Sequence, residues 1–231
     1  MIQLQSLNAE RPSEFRSKNT DVKKYFVAES EIDSVFAFHG EANSELLVTE
    51  YFDTPDNRLF ADQFRKTTRR FKIRSRRIGE SLPIMEVKVK GSQNPKRIWE
   101  SEPGTTLENG GQEFIRKALD EAFDTLFARR IEQQLKVVAT TKFERTSYLA
   151  EDKKNLFDFD RNIELLTTKG SAKMKPDLVL IELSSLDEQK TVPESWKSVK
   201  FSKFGATLDL LSGERVRSHK LGVLDELFVI Y

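Results

Sequence analysis

The sequence predicts an α+β fold in which an antiparallel β-sheet closes into a barrel and helices pack on its outside. Three observations predict it. Several segments alternate apolar with charged residues at the two-residue period of a strand. Turn signals separate them, and the order runs strands, one long helix, more strands, then helix. One run of alternating charges, around Arg74, is uniformly positive. Solvated sheet faces usually mix signs, so this run suits an enclosed lumen better.

The 231 residues read as a single unit, 1–231, with no internal repeat or long linker. Residues 1–20 look like an irregular arm. A strand is predicted over 21–27, then a helix from Ser30 with Glu31 and Asp33 in its first turn, where acids oppose the helix dipole favourably. A second strand covers 46–53 and stops at Thr54-Pro55-Asp56-Asn57, a strong turn signal. After a short connector, 70–77 and 84–90 form a hairpin about Gly79-Glu80-Ser81. A loop at 91–94 leads to a strand near 97–100. Residues 112–134 are helical, because Phe114, Ile115, Leu119, Ala122, Phe123, Leu126 and Phe127 recur at helical spacing. That stripe reads as packing. Strands return at 137–149, 156–165 and 178–183, with turns at Glu151-Asp152 and Lys169-Gly170. The end is helical, over 203–211 and again as a C-terminal helix within 214–231.

Composition narrows the chemistry. There are no cysteines, which excludes disulfides, zinc–thiolate sites and thiol nucleophiles. His39 and His219, on separate predicted helical segments, are the only two histidines, which argues against a histidine metal site or a Ser-His-Asp triad. Carboxylates, lysines and arginines must carry whatever chemistry exists. The net charge of +1 speaks against a globally basic nucleic-acid binder. Mean hydropathy is −0.54, no apolar run is long enough to span a membrane, and Met1-Ile2-Gln3-Leu4-Gln5 lacks a secretion signal. The expectation is a cytoplasmic protein without direct membrane insertion. The absence of a glycine-rich phosphate loop excludes the P-loop route to ATP.

Charge is segregated locally. Arg65, Lys66, Arg69, Arg70, Lys72, Arg74, Arg76 and Arg77 follow one another with no acid between them. Such a cluster repels itself unless an anion or facing carboxylates neutralise it. In the strand, Arg70, Lys72, Arg74 and Arg76 share one face, while Phe71, Ile73 and Ser75 take the other. The next strand puts Glu86, Lys88 and Lys90 on one face, and the late strand alternates Leu180, Glu182 and Ser184 with Val179, Ile181 and Leu183. A lumen of converging cations is a site for a highly charged anion, and phosphate suits the planar donor fork of arginine. Scattered glutamates, among them Glu86, could then hold a divalent cation, which takes hard oxygen ligands. RNA is a weaker candidate, because Phe71 lies on the face opposite the cations and offers no stacking platform among them. Asp158 and Asp160 share a face, as a metal site or a solvated pair. Trp99 and Trp196 read as packing rather than as a base platform.

Six motifs in order resemble those of the VTC (vacuolar transporter chaperone-type) polyphosphate polymerase domain. They are Tyr51-Phe52-Asp53-Thr54-Pro55, Lys72-Ile73-Arg74-Ser75-Arg76, Met85-Glu86-Val87-Lys88-Val89-Lys90, Phe143-Glu144-Arg145, Val179-Leu180-Ile181-Glu182-Leu183 and Phe201-Ser202-Lys203-Phe204. That family belongs to the triphosphate tunnel metalloenzymes, whose fold is a closed antiparallel β-tunnel. The resemblance implies transfer of the terminal phosphate of ATP onto a polyphosphate chain. It implies catalytic roles for Arg74, Arg76, Lys88, Arg145 and Lys203, and phosphate binding by Arg70, Lys72, Lys90, Ser202 and either Lys23 or Lys24. It implies Mn²⁺ or Mg²⁺ on Glu182, and a membrane-protein partner as a hypothesis.

Two departures stand out. Where the family pattern is roughly R-x-T-x-D, this chain reads Leu156-Phe157-Asp158-Phe159-Asp160; where it continues E-x-K, the chain reads Glu182-Leu183-Ser184. Two inward cations are missing and one carboxylate is gained. Phosphate affinity should fall, so a metal-dependent triphosphatase and a non-catalytic polyphosphate or nucleotide sensor stand beside the polymerase.

Overall fold

The computed structural model describes residues 1–7, 12–16, 21–64, 70–90, 97–122, 135–186, 192–211 and 224–231. The first half contains β1 (Ile2–Ser6), α1 (Ser13–Arg16), β2 (Asp21–Ala28), α2 (Glu29–Val35), β3 (Phe36–His39), β4 (Glu45–Asp53), α3 (Arg58–Phe64), β5 (Arg70–Ile78), β6 (Ile84–Lys90) and β7 (Arg97–Glu100). There follow α4 (Gly111–Ala122), β8 (Lys136–Ala150), β9 (Asn155–Thr167), β10 (Gly170–Met174), β11 (Leu178–Ser185), α5 (Lys203–Leu211), α6 (Leu224–Leu227) and β12 (Phe228–Ile230). The strands join in one sheet that runs β2-β11-β9-β8-β4-β5-β6-β7. β10 and β12 continue from the second half of β9, and β1 joins β8 and β3. Every described ladder is antiparallel except β1 with β3.

The two-residue period sorts the side chains into layers. On the outside of β5 and β6, Phe71, Ile73, Met85, Val87 and Val89 pack beneath Ile115, Ala118 and Leu119 of α4. Gly111 lets α4 start there, because a Cβ would collide with Met85 Sδ and the Thr106 carbonyl. On the outside of β2, β9 and β11, Tyr25, Val27, Phe157, Phe159, Val179, Ile181 and Leu183 pack with Leu4, Ile32 and Phe36.

The opposite, concave face holds α5. Its residues Lys203, Phe204, Gly205, Ala206, Thr207, Leu208 and Leu211 are buried on all sides, as expected of a helix enclosed by protein. Leu47, Phe143, Ile163, Leu165 and Leu180 pack around Ala206 and Leu211, while Tyr51 and Ala139 meet Phe204 and Leu208. A bulge in β9 makes this possible. The register with β8 shifts between Lys142 and Glu144, opposite Asn162, whose φ of 51° is left-handed. Before it, even-numbered Asp158 and Asp160 point inward; after it, odd-numbered Ile163 and Leu165 do. One strand therefore supplies both acids and core.

Four expectations need correction. The barrel is not closed by hydrogen bonds: among the described residues no ladder joins β2 to β6 or β7. The connector before α5 takes that place. Val199 N–H donates to the Lys24 carbonyl on the outer edge of β2 (2.8 Å), and Ser202 Oγ accepts from Lys72 Nζ of β5 (3.0 Å). The expected irregular arm contains β1, because Ile2-Gln3-Leu4-Gln5 alternates and buries Leu4 against distant β3 and β8. His39 ends a strand, not a helix. The C-terminal helix expected over 214–231 shrinks, among the described residues, to the single turn of α6. Phe228–Ile230, a run of strand-formers, pairs instead with β10; residues 212–223 lie outside the description. The second half of the helix predicted over 112–134 also lies outside it. Among the described residues no helix is long and apolar enough to cross a membrane.

Candidate functional site

Tyr51-Phe52-Asp53-Thr54-Pro55 proves to be a scaffold for the site. The Asp53 carboxylate, fully buried, accepts the backbone N–H groups of Thr54 (2.7 Å), Leu59 (2.8 Å) and Phe60 (2.8 Å), thereby capping α3. Burial raises its pKa against those hydrogen bonds. Asp53→Ala would strand several buried donors, and a stability loss of about 3 kcal/mol is expected in urea unfolding. Tyr51 turns inward, stacks on Phe204 at 4.7 Å and stands beside Arg74, its cross-strand neighbour.

The cations predicted on β5 and β6 gather about Glu86. Register sets Arg74 opposite Glu86 and Lys72 opposite Lys88. Arg74 grips Glu86 Oε2 through Nε (3.0 Å) and Nη2 (2.6 Å), Arg76 reaches Oε1 at 2.9 Å, and Lys88 reaches Oε2 at 3.2 Å. Burial would raise the Glu86 pKa, but the charges of Arg74, Lys88 and Arg76 outweigh it and hold the carboxyl at about 2. Arg76 and Lys88 keep 31% and 28% of their side-chain surface open, against 1% for Glu86, so the cations face the opening and the acid lies behind them. Lys72 donates to Ser202 Oγ and lies over the Phe204 ring. Ser202 also caps α5 by accepting Gly205 N–H at 3.3 Å.

The second wall is built from β2, β8, β9, β11 and α5. Lys24, Glu182, Asp158 and Ser147 form one cross-strand row; Leu180, Asp160 and Arg145 form the next. Glu182 Oε1 accepts from Lys24 (2.7 Å) and Lys203 (3.0 Å), and Arg145 Nη2 stands 3.4 Å from Oε2. Asp160 takes Arg145 in a two-point grip (2.6 and 2.7 Å) together with Lys203 (2.6 Å). Asp158 accepts from Arg145 Nη1 (3.1 Å) and Ser147 Oγ (2.7 Å). Phe143 lies under both cations, 4.2 Å from Lys203 Nζ and 5.3 Å from the Arg145 guanidinium carbon. Burial would raise the Glu182 pKa, but Lys203, Lys24 and Arg145 hold it well below the usual range. Burial would lower those of Arg145 and Lys203, but facing carboxylates raise both.

Most of the predicted set therefore converges. Lys72, Arg74, Arg76, Lys88, Arg145, Lys203, Lys24, Ser202, Glu86 and Glu182 line one concave region. Lys23 does not join them: it pairs with Leu183 on the outer face, which settles the doubled lysine in favour of Lys24. Arg70 and Lys90 are register partners at the strand ends, and their side chains lie outside the description, as do Arg65, Lys66 and Arg69. The sequence reading missed Tyr51, Phe143, Ser147 and Phe204 as site residues; cross-strand register brings in the first three, and the packing of α5 against the sheet brings in Phe204. Trp99 and Trp196 serve packing, bonding Glu121 and Glu31 respectively. Leu156 and Ser184, where family cations are absent, are direct cross-strand partners and both are buried. That row, with Val22 and Leu149, carries no charge.

For a divalent cation the donors are incomplete. Among the described residues no three of histidine, cysteine, aspartate and glutamate come together to hold a metal. Glu86 and Glu182 each face three cations, and Glu182, at 16% exposed, is the most open of the four carboxylates. A hard cation fits at Glu182 only with phosphate oxygens completing its shell.

Two lysines tie the site to pH. Burial and the Arg74 charge lower Lys88 to about 7; burial, Arg74 and Lys24 lower Lys72 to about 8. An anion needs both charged, so its affinity should hold below pH 7 and fall as pH rises through 7 and 8. Above 8 the expected slope is about tenfold per unit per lysine, with proton uptake on binding visible by calorimetry in paired buffers. Stability runs the other way. The unfolded lysines keep protons up to their usual 10.5, so these two groups oppose folding most below 7 and that penalty fades as pH rises towards 10.5.

The model of the VTC domain matches residues 12–212 of the chain. Comparison with the curated proteins finds no significant match. Among solved structures, PH1819 from Pyrococcus horikoshii OT3 is 17% identical, with 82% of this chain and 96% of that one covered and a TM-score of 0.46. The inorganic triphosphatase NE1496 is 16% identical, covering 82% and 94%, with a TM-score of 0.37. HpAC1 from Hippeastrum, described with a dominant triphosphatase activity, is 15% identical, covering 82% and 95%, with a TM-score of 0.49.

Proposed function

The chain belongs to the VTC domain family, and on that premise we propose that it transfers the terminal phosphoryl group of ATP onto a phosphate chain held against the β5–β6 wall. One observation carries the reading: Lys72, Arg74, Arg76 and Lys88 converge, and among the described residues Glu86 is the one carboxylate bonded there, to Arg74, Arg76 and Lys88. Phosphoryl transfer is chiefly positioning and charge neutralisation, for which pre-oriented arginines and lysines suffice without a covalent nucleophile. Glu86 fixes the Arg74 fork before substrate arrives, so little ordering remains to be done on binding. Arg76 and Lys88, nearest solvent, receive the outer phosphates. Lys72 and Ser202 hold the chain, and Arg145, Lys203 and Lys24 face it from the opposite wall with their own charge balanced by Asp158, Asp160 and Glu182. A Mn²⁺ or Mg²⁺ ion on Glu182 and the phosphates would supply further neutralisation when bound.

Incubation of the pure protein with ATP and Mn²⁺, resolved on a polyphosphate gel, tests this: polymer is expected. Orthophosphate without polymer would identify a triphosphatase instead. One observation favours a third reading, a phosphate-binding module without turnover: Leu156 and Ser184 remove two cations from one row. It predicts binding with neither product.

A further inference from the structure

Every nitrogen of the Arg145 guanidinium already faces a carboxylate. Nε and Nη2 are bonded to Asp160, Nη1 to Asp158, and Nη2 also approaches Glu182. Lys203 is shared between Asp160 and Glu182, and Lys24 is bonded to Glu182. On this wall three cations meet three carboxylates and the formal charge cancels. On the β5–β6 wall, among the described residues, Arg74, Arg76 and Lys88 meet Glu86, with Lys72 beside them and Glu100 of β7 acting on Arg76, leaving a formal excess of two positive charges. The next row beyond Asp158 is Val22, Ser184, Leu156 and Leu149, which carries no charge at all. A phosphate chain leaving β5–β6 thus meets a neutralised row and then an uncharged one.

Asp158 is the acid that shifts this balance. Asp160 and Glu182 each hold Lys203 as well as Arg145, so they also fasten α5 to the sheet. Asp158 instead takes Arg145 Nη1, the one guanidinium nitrogen that those two acids leave open, and is steadied there by Ser147. Its Oδ2 gives Arg145 Nη1 the single anionic acceptor that a phosphate oxygen would otherwise supply, while Oδ1 is held by Ser147.

We propose that Asp158 is a specificity-determining residue that limits the length of phosphate chain this site accepts. It occupies the donor a longer chain would need, and confines the anion to the β5–β6 wall. The substrate class is then a short polyanion such as tripolyphosphate or a nucleoside triphosphate, and the products of turnover are short. The inference rests on the anion site described under the proposed function.

Titration calorimetry with sodium tripolyphosphate and with size-fractionated long-chain polyphosphate tests it, on the full chain and on Asp158→Asn and Asp158→Ser. Both variants are expected to bind the long chain about tenfold more tightly, the scale of one charge-assisted hydrogen bond, and tripolyphosphate less than about threefold more tightly. Asp158→Ser guards against an amide that misorients Arg145, and melting curves confirm that each variant folds. An equal gain for both anions would mean a general field effect and overturn the proposal, as would no gain for the long chain. Wild-type protein that binds neither anion would remove the underlying site as well.

Discussion

Arg74→Ala is expected to weaken tripolyphosphate binding by about a hundredfold or more. Arg74 is the cation on the β5–β6 wall that Glu86 grips through two nitrogens, with Tyr51 beside it on β4. Truncating one member of a buried, hydrogen-bonded charge pair costs about 2–5 kcal/mol, and each 1.4 kcal/mol is about tenfold in Kd. The loss has two parts: the donor fork itself, and the freedom Glu86 gains to draw Arg76 and Lys88 inward. Arg74→Lys separates them. A lysine keeps the charge but loses the two-point grip, so binding about tenfold weaker than wild type is expected. Both variants also lose part of the Glu86 cluster, so calorimetry belongs well below their melting temperatures. Arg74→Ala that is folded and binds tripolyphosphate as wild type does would remove the β5–β6 wall as the anion site.

Much of this wall was legible in the sequence because a strand's period is two. Once residues 70–78 are a strand, Lys72, Arg74 and Arg76 must share a face and Phe71 and Ile73 the other, whatever the rest of the chain does. The charge pattern then forces an enclosed or anion-bound setting. The same rule separated Glu182 from Ile181. What the period could not give was register and closure. Nothing in Asp21-Val22-Lys23-Lys24 says which lysine faces Glu182; pairing of Lys23 with Leu183 decides it. Tyr51 enters the site because β4 pairs with β5 in a register that sets it beside Arg74.

The closed barrel was a local inference extended too far. Inward-facing cations need an enclosing wall, but the wall need not be strand. Here the connector at Val199 to Ser202 and the buried helix α5 fill the gap between β2 and β5, and α5 carries Lys203 inside. Short elements with distant partners, β1, β3 and β12, were misread for a related reason. Each is too brief to declare itself, and each is stabilised by an edge that another part of the chain supplies. Likewise, the departures at Leu156 and Ser184 look independent in sequence, twenty-eight positions apart, yet form one cross-strand pair.

Glu86→Gln is the second large effect, and it separates stability from binding. Glu86 is 1% exposed and faces Arg74, Arg76 and Lys88 at 2.6–3.2 Å. Its pKa, brought down from 4.5 to about 2, corresponds to about 3 kcal/mol of stability. Glutamine keeps the shape but turns a donor toward cations that are already donors, so a fall in melting temperature of about 10 °C is expected at neutral pH. The sign with pH follows. A depressed carboxyl contributes fully above 4.5 and loses its contribution as pH falls towards 2, so the gap between wild type and variant should close over that window. Binding should move the other way. Without the acid, Arg74, Arg76 and Lys88 lack their internal counter-charge, and an anion becomes its natural replacement. Tripolyphosphate should therefore raise the melting temperature of Glu86→Gln by more than it raises that of wild type. A variant that is destabilised but gains no more from the ligand than wild type would show that Glu86 holds the fold without standing where the anion's charge belongs.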